Sequence, residues 1–73
     1  MAHEIHAELV ANVLHVLVKA GDTVVEGDTL VLLESMKMEI PVPAEVSGTV
    51  TEVAVSEGDV VTEGDLIAQI TAP

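Results

Sequence analysis

The 73-residue chain has no cysteine, phenylalanine, tyrosine or tryptophan, and only two basic side chains, Lys19 and Lys37, against 13 acidic ones. Each absence removes a class of chemistry. Without cysteine there is no disulfide to staple a small core, no thiolate nucleophile and no Cys-based zinc or iron–sulfur site. Without aromatic rings no base-stacking platform, aromatic cage or Trp-lined ligand pocket can be built. A formal net charge of -11 repels phosphate and argues against a nucleic-acid partner. No apolar run approaches about 18 residues, and no basic start leads into an apolar stretch, so neither a membrane span nor a secretory leader is legible. A soluble, cytoplasmic chain with no membrane partner is expected.

What is present favours a folded β domain. Hydrophobic residues make up 49% of the chain, enough to build a core despite the charge. Among the larger aliphatics, 14 Val and 4 Ile outnumber 7 Leu and 3 Met, which tilts the reading toward strands. The chain also repeats itself. Residues 7–34 lie over residues 44–71 at a shift of 37, with 11 identities in 28 gapless positions. Ala7/Ala44, Val13/Val50 and Gly27/Gly64 are among the identical pairs. One copy is too small to bury its own apolar face, so two copies are expected to share one core in a single domain, 1–73, with quasi-two-fold symmetry.

Within each copy the valines step by three and then by two (Val13, Val16, Val18 and Val50, Val53, Val55). The two-residue step is strand alternation, and the extra residue predicts a bulge or a strand just entering its sheet. Gly-Asp-x-Val-x-x-Gly-Asp follows at Gly21–Asp28 and at Gly58–Asp65. Glycine supplies positive φ for tight turns, and aspartate accepts from nearby backbone amides. Strands are expected again at 29–35 and 66–71.

Residues 28–40 can be read in two ways. Asp28 is an acceptable helix N-cap and Pro41 a helix stop. Three observations favour strand–turn–strand instead: the repeat partner ends after Thr71, Leu30–Leu33 is continuously apolar, and Pro41 and Pro43 leave little room for a helix. The turn then falls at Met36-Lys37, between strands at 29–35 and 38–42. It lies at the junction of the two copies, and symmetry places its counterpart where the termini lie, so the hairpin is expected to project alone. Met-Lys is poor chemistry for a two-residue turn, which prefers Asn-Gly or Asp-Gly. Two methionines on an exposed tip also fit badly with an acidic surface, and such local conflicts gather at functional sites.

Glu34-Ser35-Met36-Lys37-Met38-Glu39, with Pro41 and Ala44 behind and Gly-Asp turns on both sides, resembles the biotin-attachment (biotinyl/lipoyl) domain family. The resemblance covers nearly the whole chain and is similar to stand-alone bacterial biotin/lipoyl attachment proteins. It implies an all-β fold, a flattened barrel-sandwich of two four-stranded antiparallel sheets with the modified lysine on a β-hairpin tip. By the same likeness Lys37 carries covalent biotin, with Met36, Met38, Ser35 and Glu34 around it. The chain would then be a carrier and not an enzyme, with no catalytic residues of its own. Its partners would be a biotin protein ligase and the biotin carboxylase and carboxyltransferase between which carboxyl groups travel. No Ala/Pro-rich linker or catalytic domain accompanies the motif, so carboxylase work is expected to lie in trans, with the carrier a monomer.

Ser35 replaces the usual Ala of the tetrad, which gives Glu34-Ser35 a partial likeness to lipoyl domains; a lipoyl or dual acceptor is the nearest alternative. Ala11 stands where many members, like Gly48 in the second copy, have Gly. A helical acyl carrier protein shares the size and charge, but needs Asp-Ser-Leu at a helix start, whereas Ser35 stands in Glu-Ser-Met. A binding or regulatory module whose lysine is never acylated is the third reading. His3, His6 and His15 show no metal spacing. Met1-Ala2-His3 would chelate Cu(II) only with Met1 retained. Asp22, Glu26 and Asp28 lack the calcium-loop pattern, and their recurrence at Asp59, Glu63 and Asp65 points to turn chemistry. No metal site is expected.

Overall fold

The computed structural model describes residues 2–73; Met1, and with it the Cu(II) reading, lies outside the described residues. Eight strands form, β1 (Ala2–His6), β2 (Ala11–Val16), β3 (Thr23–Val24), β4 (Thr29–Ser35), β5 (Met38–Pro43), β6 (Gly48–Val53), β7 (Val60–Val61) and β8 (Leu66–Thr71). Two four-stranded sheets result, ordered β1-β8-β6-β3 and β5-β4-β2-β7, with every neighbouring pair antiparallel. Each strand of one sheet matches, 37 residues on or back, the strand at the same place in the other. The quasi-two-fold therefore exchanges the sheets. Residues 28–40 contain no helix; β4 and β5 meet directly at 36–37, and β5 runs to Pro43.

The core lies between the sheets and is drawn equally from both copies. Leu30 and Leu33 are matched by Ile67 and Ile70, and Val13 by Val50, all at 2% exposure or less. Each fully buried Leu, Ile or Val contributes roughly 1.5–3 kcal/mol relative to exposure, which is how a chain without disulfides or aromatics holds together. The valine step of three comes from a bulge between Val13 and His15, repeated between Val50 and Glu52. A second bulge, opposite Val42–Pro43 in β4 and opposite Ile5–His6 in β8, explains the continuous apolar run. It lets consecutive residues, Leu30-Val31 and Ile67-Ala68, both face inward.

The Gly-Asp turns are built alike. Asp22, Asp28, Asp59 and Asp65 each accept, through Oδ2, the backbone N–H three residues earlier, at 3.0, 3.0, 2.8 and 2.9 Å. The glycine before each aspartate has φ between 92 and 98°, which a Cβ would disfavour. These turns also sew one copy to the other: the Gly64 N–H donates to the Ala7 carbonyl at 2.8 Å, and the Gly27 N–H to the Ala44 carbonyl at 2.9 Å. The Ala7/Ala44 identity thus marks a buried seam.

β5 is an edge strand, as its prolines require. Because the hairpin closes on the Ser35–Met38 pair, the inward N–H groups alternate from Met38, and positions 39, 41 and 43 point away from β4. Pro41 and Pro43 take two of those outward positions. They sacrifice no ladder bond and strip donors from an exposed edge. The equivalent edge, β1, carries Glu4 and His6 at those places.

Candidate functional site

The β4–β5 hairpin is pinned on one side only, by β2, and ends in a two-residue turn whose residues must both take left-handed angles. Met36 has φ 53° and Lys37 has φ 66°, and among the described residues they are the non-glycine residues with positive φ. Such a conformation costs about 1–2 kcal/mol per residue. Turn length imposes it: Ser35 pairs with Met38, so two residues must reverse the chain along the natural twist. Side chains that would make the turn comfortable, Asn and Gly, would offer no amine.

The strained turn aims its side chains outward. Met36 is 89% exposed and Met38 62%, and Lys37 is exposed between them. Ser35 and Glu34 are half-buried at the root of the hairpin. Neither Lys37 nor Lys19 forms an ion pair among the described residues. Burial does not separate the two lysines, since Lys19 is also exposed; position does. Lys19 begins one of the four Asp-braced turns and its backbone N–H is held by Asp22. Lys37 stands at the apex of an unbraced one.

The five residues singled out from sequence, Glu34 to Met38, lie together on this hairpin. One neighbour was not among them. Glu39 sits directly across from Glu34, so two carboxylates face each other one pair below the turn. Like charges in that position are destabilising. The signal was in the sequence: once the turn is fixed at 36–37, pairing 35 with 38 forces 34 onto 39.

Remaining candidates separate from the hairpin. His3 contacts Glu45 at 2.7 Å, His6 contacts Glu4 at 3.3 Å and His15 contacts Glu57 at 3.7 Å, each a separate exposed pair. No group of three His, Asp or Glu converges to hold a metal ion among the described residues. The carboxylates of Asp22, Asp28, Asp59 and Asp65 are engaged by their own turns. An exposed, unpaired primary amine at a fixed apex fits covalent attachment of an acyl group.

Two solved structures carry the same architecture. Urea carboxylase of Kluyveromyces lactis superposes with a TM-score of 0.90 and 34% identity, over 97% of this chain and 6% of that one. The lipoyl domain of the 2-oxoglutarate dehydrogenase complex from Azotobacter vinelandii superposes at 0.75 with 26% identity, over 93% and 96% of the two chains. The class defined by fold and site is thus a small two-sheet β domain that displays a lysine on a tight hairpin. The biotin/lipoyl family model, described as "Biotin-requiring enzyme", matches residues 3–70, and the chain belongs to this family. A biotinylated protein TB7.3 homolog of Mycolicibacterium smegmatis is 68% identical over 44 residues, 60% of this chain. The match spans 62% of that relative's length, a little under two thirds.

Proposed function

We propose that residues 1–73, organised as the repeat 7–34/44–71, form a single biotin carrier domain in which Lys37 is the acceptor. One observation carries the reading: a solitary exposed amine, without an ion-pair partner among the described residues, is held at the apex of a strained two-residue turn. The family match and the likeness to a biotinylated protein and to a carboxylase support biotin as the group attached.

In loading, the neutral Lys37 amine attacks the carbonyl of a biotinyl adenylate presented by a biotin protein ligase. The new amide bond replaces the mixed anhydride, AMP leaves, and the nitrogen gives up one proton to water or a base, keeping its other hydrogen as the amide N–H. Biotin, when bound, supplies a ureido ring able to accept and release a carboxyl group. The protein's part is mechanical. The hairpin root fixes where the arm begins, so that only the arm and the whole domain move between a biotin carboxylase and a carboxyltransferase. Met36 and Met38 offer soft apolar contacts that adapt to successive partners. Catalysis resides in those partners, and the carrier acts as a cytoplasmic monomer.

Incubation with biotin ligase, ATP and biotin is expected to add one biotin, lost in Lys37→Arg and retained in Lys19→Arg. Label that persists in Lys37→Arg refutes the assignment. A lipoyl carrier is the second reading, favoured by the superposition on the lipoyl domain and by Ser35. Labelling by a lipoate ligase in preference to the biotin ligase would establish it.

A further inference from the structure

The two ends of the barrel have equivalent backbone positions with different side chains. Val10 and Val60, near the Lys37 turn, correspond to Ser47 and Thr23 at the opposite end. The valines are 62% and 63% exposed, so neither builds the core. The hydroxyl residues show that the fold has no need of an apolar group in either place. Of the exposed large apolar residues among the described residues, Val10 and Val60 join Met36 and Met38 toward the Lys37 turn, while Leu17 and Val25 lie elsewhere; such exposure is a solubility liability.

Their surroundings connect them to the turn. Val60 pairs with Asn12, Asn12 with Glu34, and Glu34 with Glu39. All four face away from the core in one row across the sheet, roughly 14 Å long at the usual strand spacing. Val10 immediately precedes β2 at the turn end of this row. The face below Lys37 therefore carries the exposed Val10 and Val60 beside Asn12 on its β2–β7 side and two carboxylates on its β4–β5 side. Neither Glu34 nor Glu39 has an ion-pair partner among the described residues.

We infer that this outer face, anchored by Val10 and Val60, is the docking surface for the ligase that loads Lys37, a protein presenting an apolar socket flanked by basic side chains. The inference rests on the carrier reading above. A second copy of the chain fits poorly, because it would bring a charge of -11 against -11. Strand addition along β5 is also disfavoured, since Pro41 and Pro43 occupy its outward positions. Contact is thus through side chains on the face.

The test is steady-state ligase kinetics on the whole chain. Val10→Ser combined with Val60→Thr installs residues the fold already uses at the equivalent positions, so the variant is expected to fold, as circular dichroism and a urea midpoint will verify. Its KM as carrier substrate should rise about fivefold to tenfold with kcat changed less than about twofold. Thr23→Val, at the opposite end, should leave KM unchanged; Ser47 is kept there because its hydroxyl accepts the Glu26 N–H at 2.9 Å. For the unaltered chain KM should increase with salt, and less steeply in Glu34→Gln combined with Glu39→Gln. An unchanged KM in the first variant overturns the docking surface while single labelling at Lys37 leaves the carrier reading standing. An equal rise in KM from the opposite-end variant overturns it too. Absence of label at Lys37 in the unaltered chain takes both down.

Discussion

At the end of the barrel that holds Pro73, β6 starts with Gly48, and a Cβ built there would overlap the carbonyl oxygen of Thr71. At the end that holds Lys37, the equivalent residue is Ala11, whose methyl is buried at 4% exposure in the core. The last strand thus lies tight against its neighbour at one end, beside an open hollow of about 470 Å³ lined in part by Thr23, Val25 and Thr49. The corresponding strands at the other end leave room for a side chain and continue into the projecting hairpin. Among the positions where the two copies differ, Ala11/Gly48, Val10/Ser47 and Val60/Thr23 separate the two ends. The core and the four Asp-braced turns stayed alike; the ends diverged.

The strongest check on the alike half of this comparison is the core. Leu33→Ala and Ile70→Ala, at equivalent fully buried positions, should each lose about 2–5 kcal/mol in urea denaturation, much of the stability of so small a domain. Unequal losses of more than about 2 kcal/mol between them would break the equivalence. The divergent half is sharpened at the strand starts. Gly48→Ala should cost about 1–3 kcal/mol through backbone overlap, whereas Ala11→Gly should cost about 1 kcal/mol through a lost methyl and a freer chain. Relaxing the turn reverses the sign. Met36→Asn with Lys37→Gly should stabilise the domain by about 1 kcal/mol or more and abolish labelling, trading function for an easy turn. Smallest is the loss of one turn brace: Asp59→Ala should cost about 1 kcal/mol, and Asp22→Ala the same, with labelling intact.

Much of this was legible because the repeat speaks twice. A valine step of three, seen at both Val13–Val16 and Val50–Val53, predicts the same irregularity in each copy, a bulge or a strand entering its sheet, and the strand register shows the bulge. The turn at Met36-Lys37 was placed by the end of the repeat and by Pro41 and Pro43, and its left-handed angles followed from turn length. The outer row is not legible in the sequence, because cross-sheet neighbours such as Val60 and Glu34 depend on register between strands far apart in the chain. The bulge that turns Leu30 and Val31 inward together was also hidden, since a continuous apolar run is equally the mark of a strand buried on both faces. Ala11 was visible as a departure, but its meaning required seeing what Gly48 makes room for.

The most direct test of a lysine displayed for acylation is the intact mass and peptide map of the chain purified from its own cells. A single biotinyl group on the peptide containing Lys37, with Lys19 unmodified, is the expected result. An unmodified chain, or an acyl group on Lys19, would contradict it.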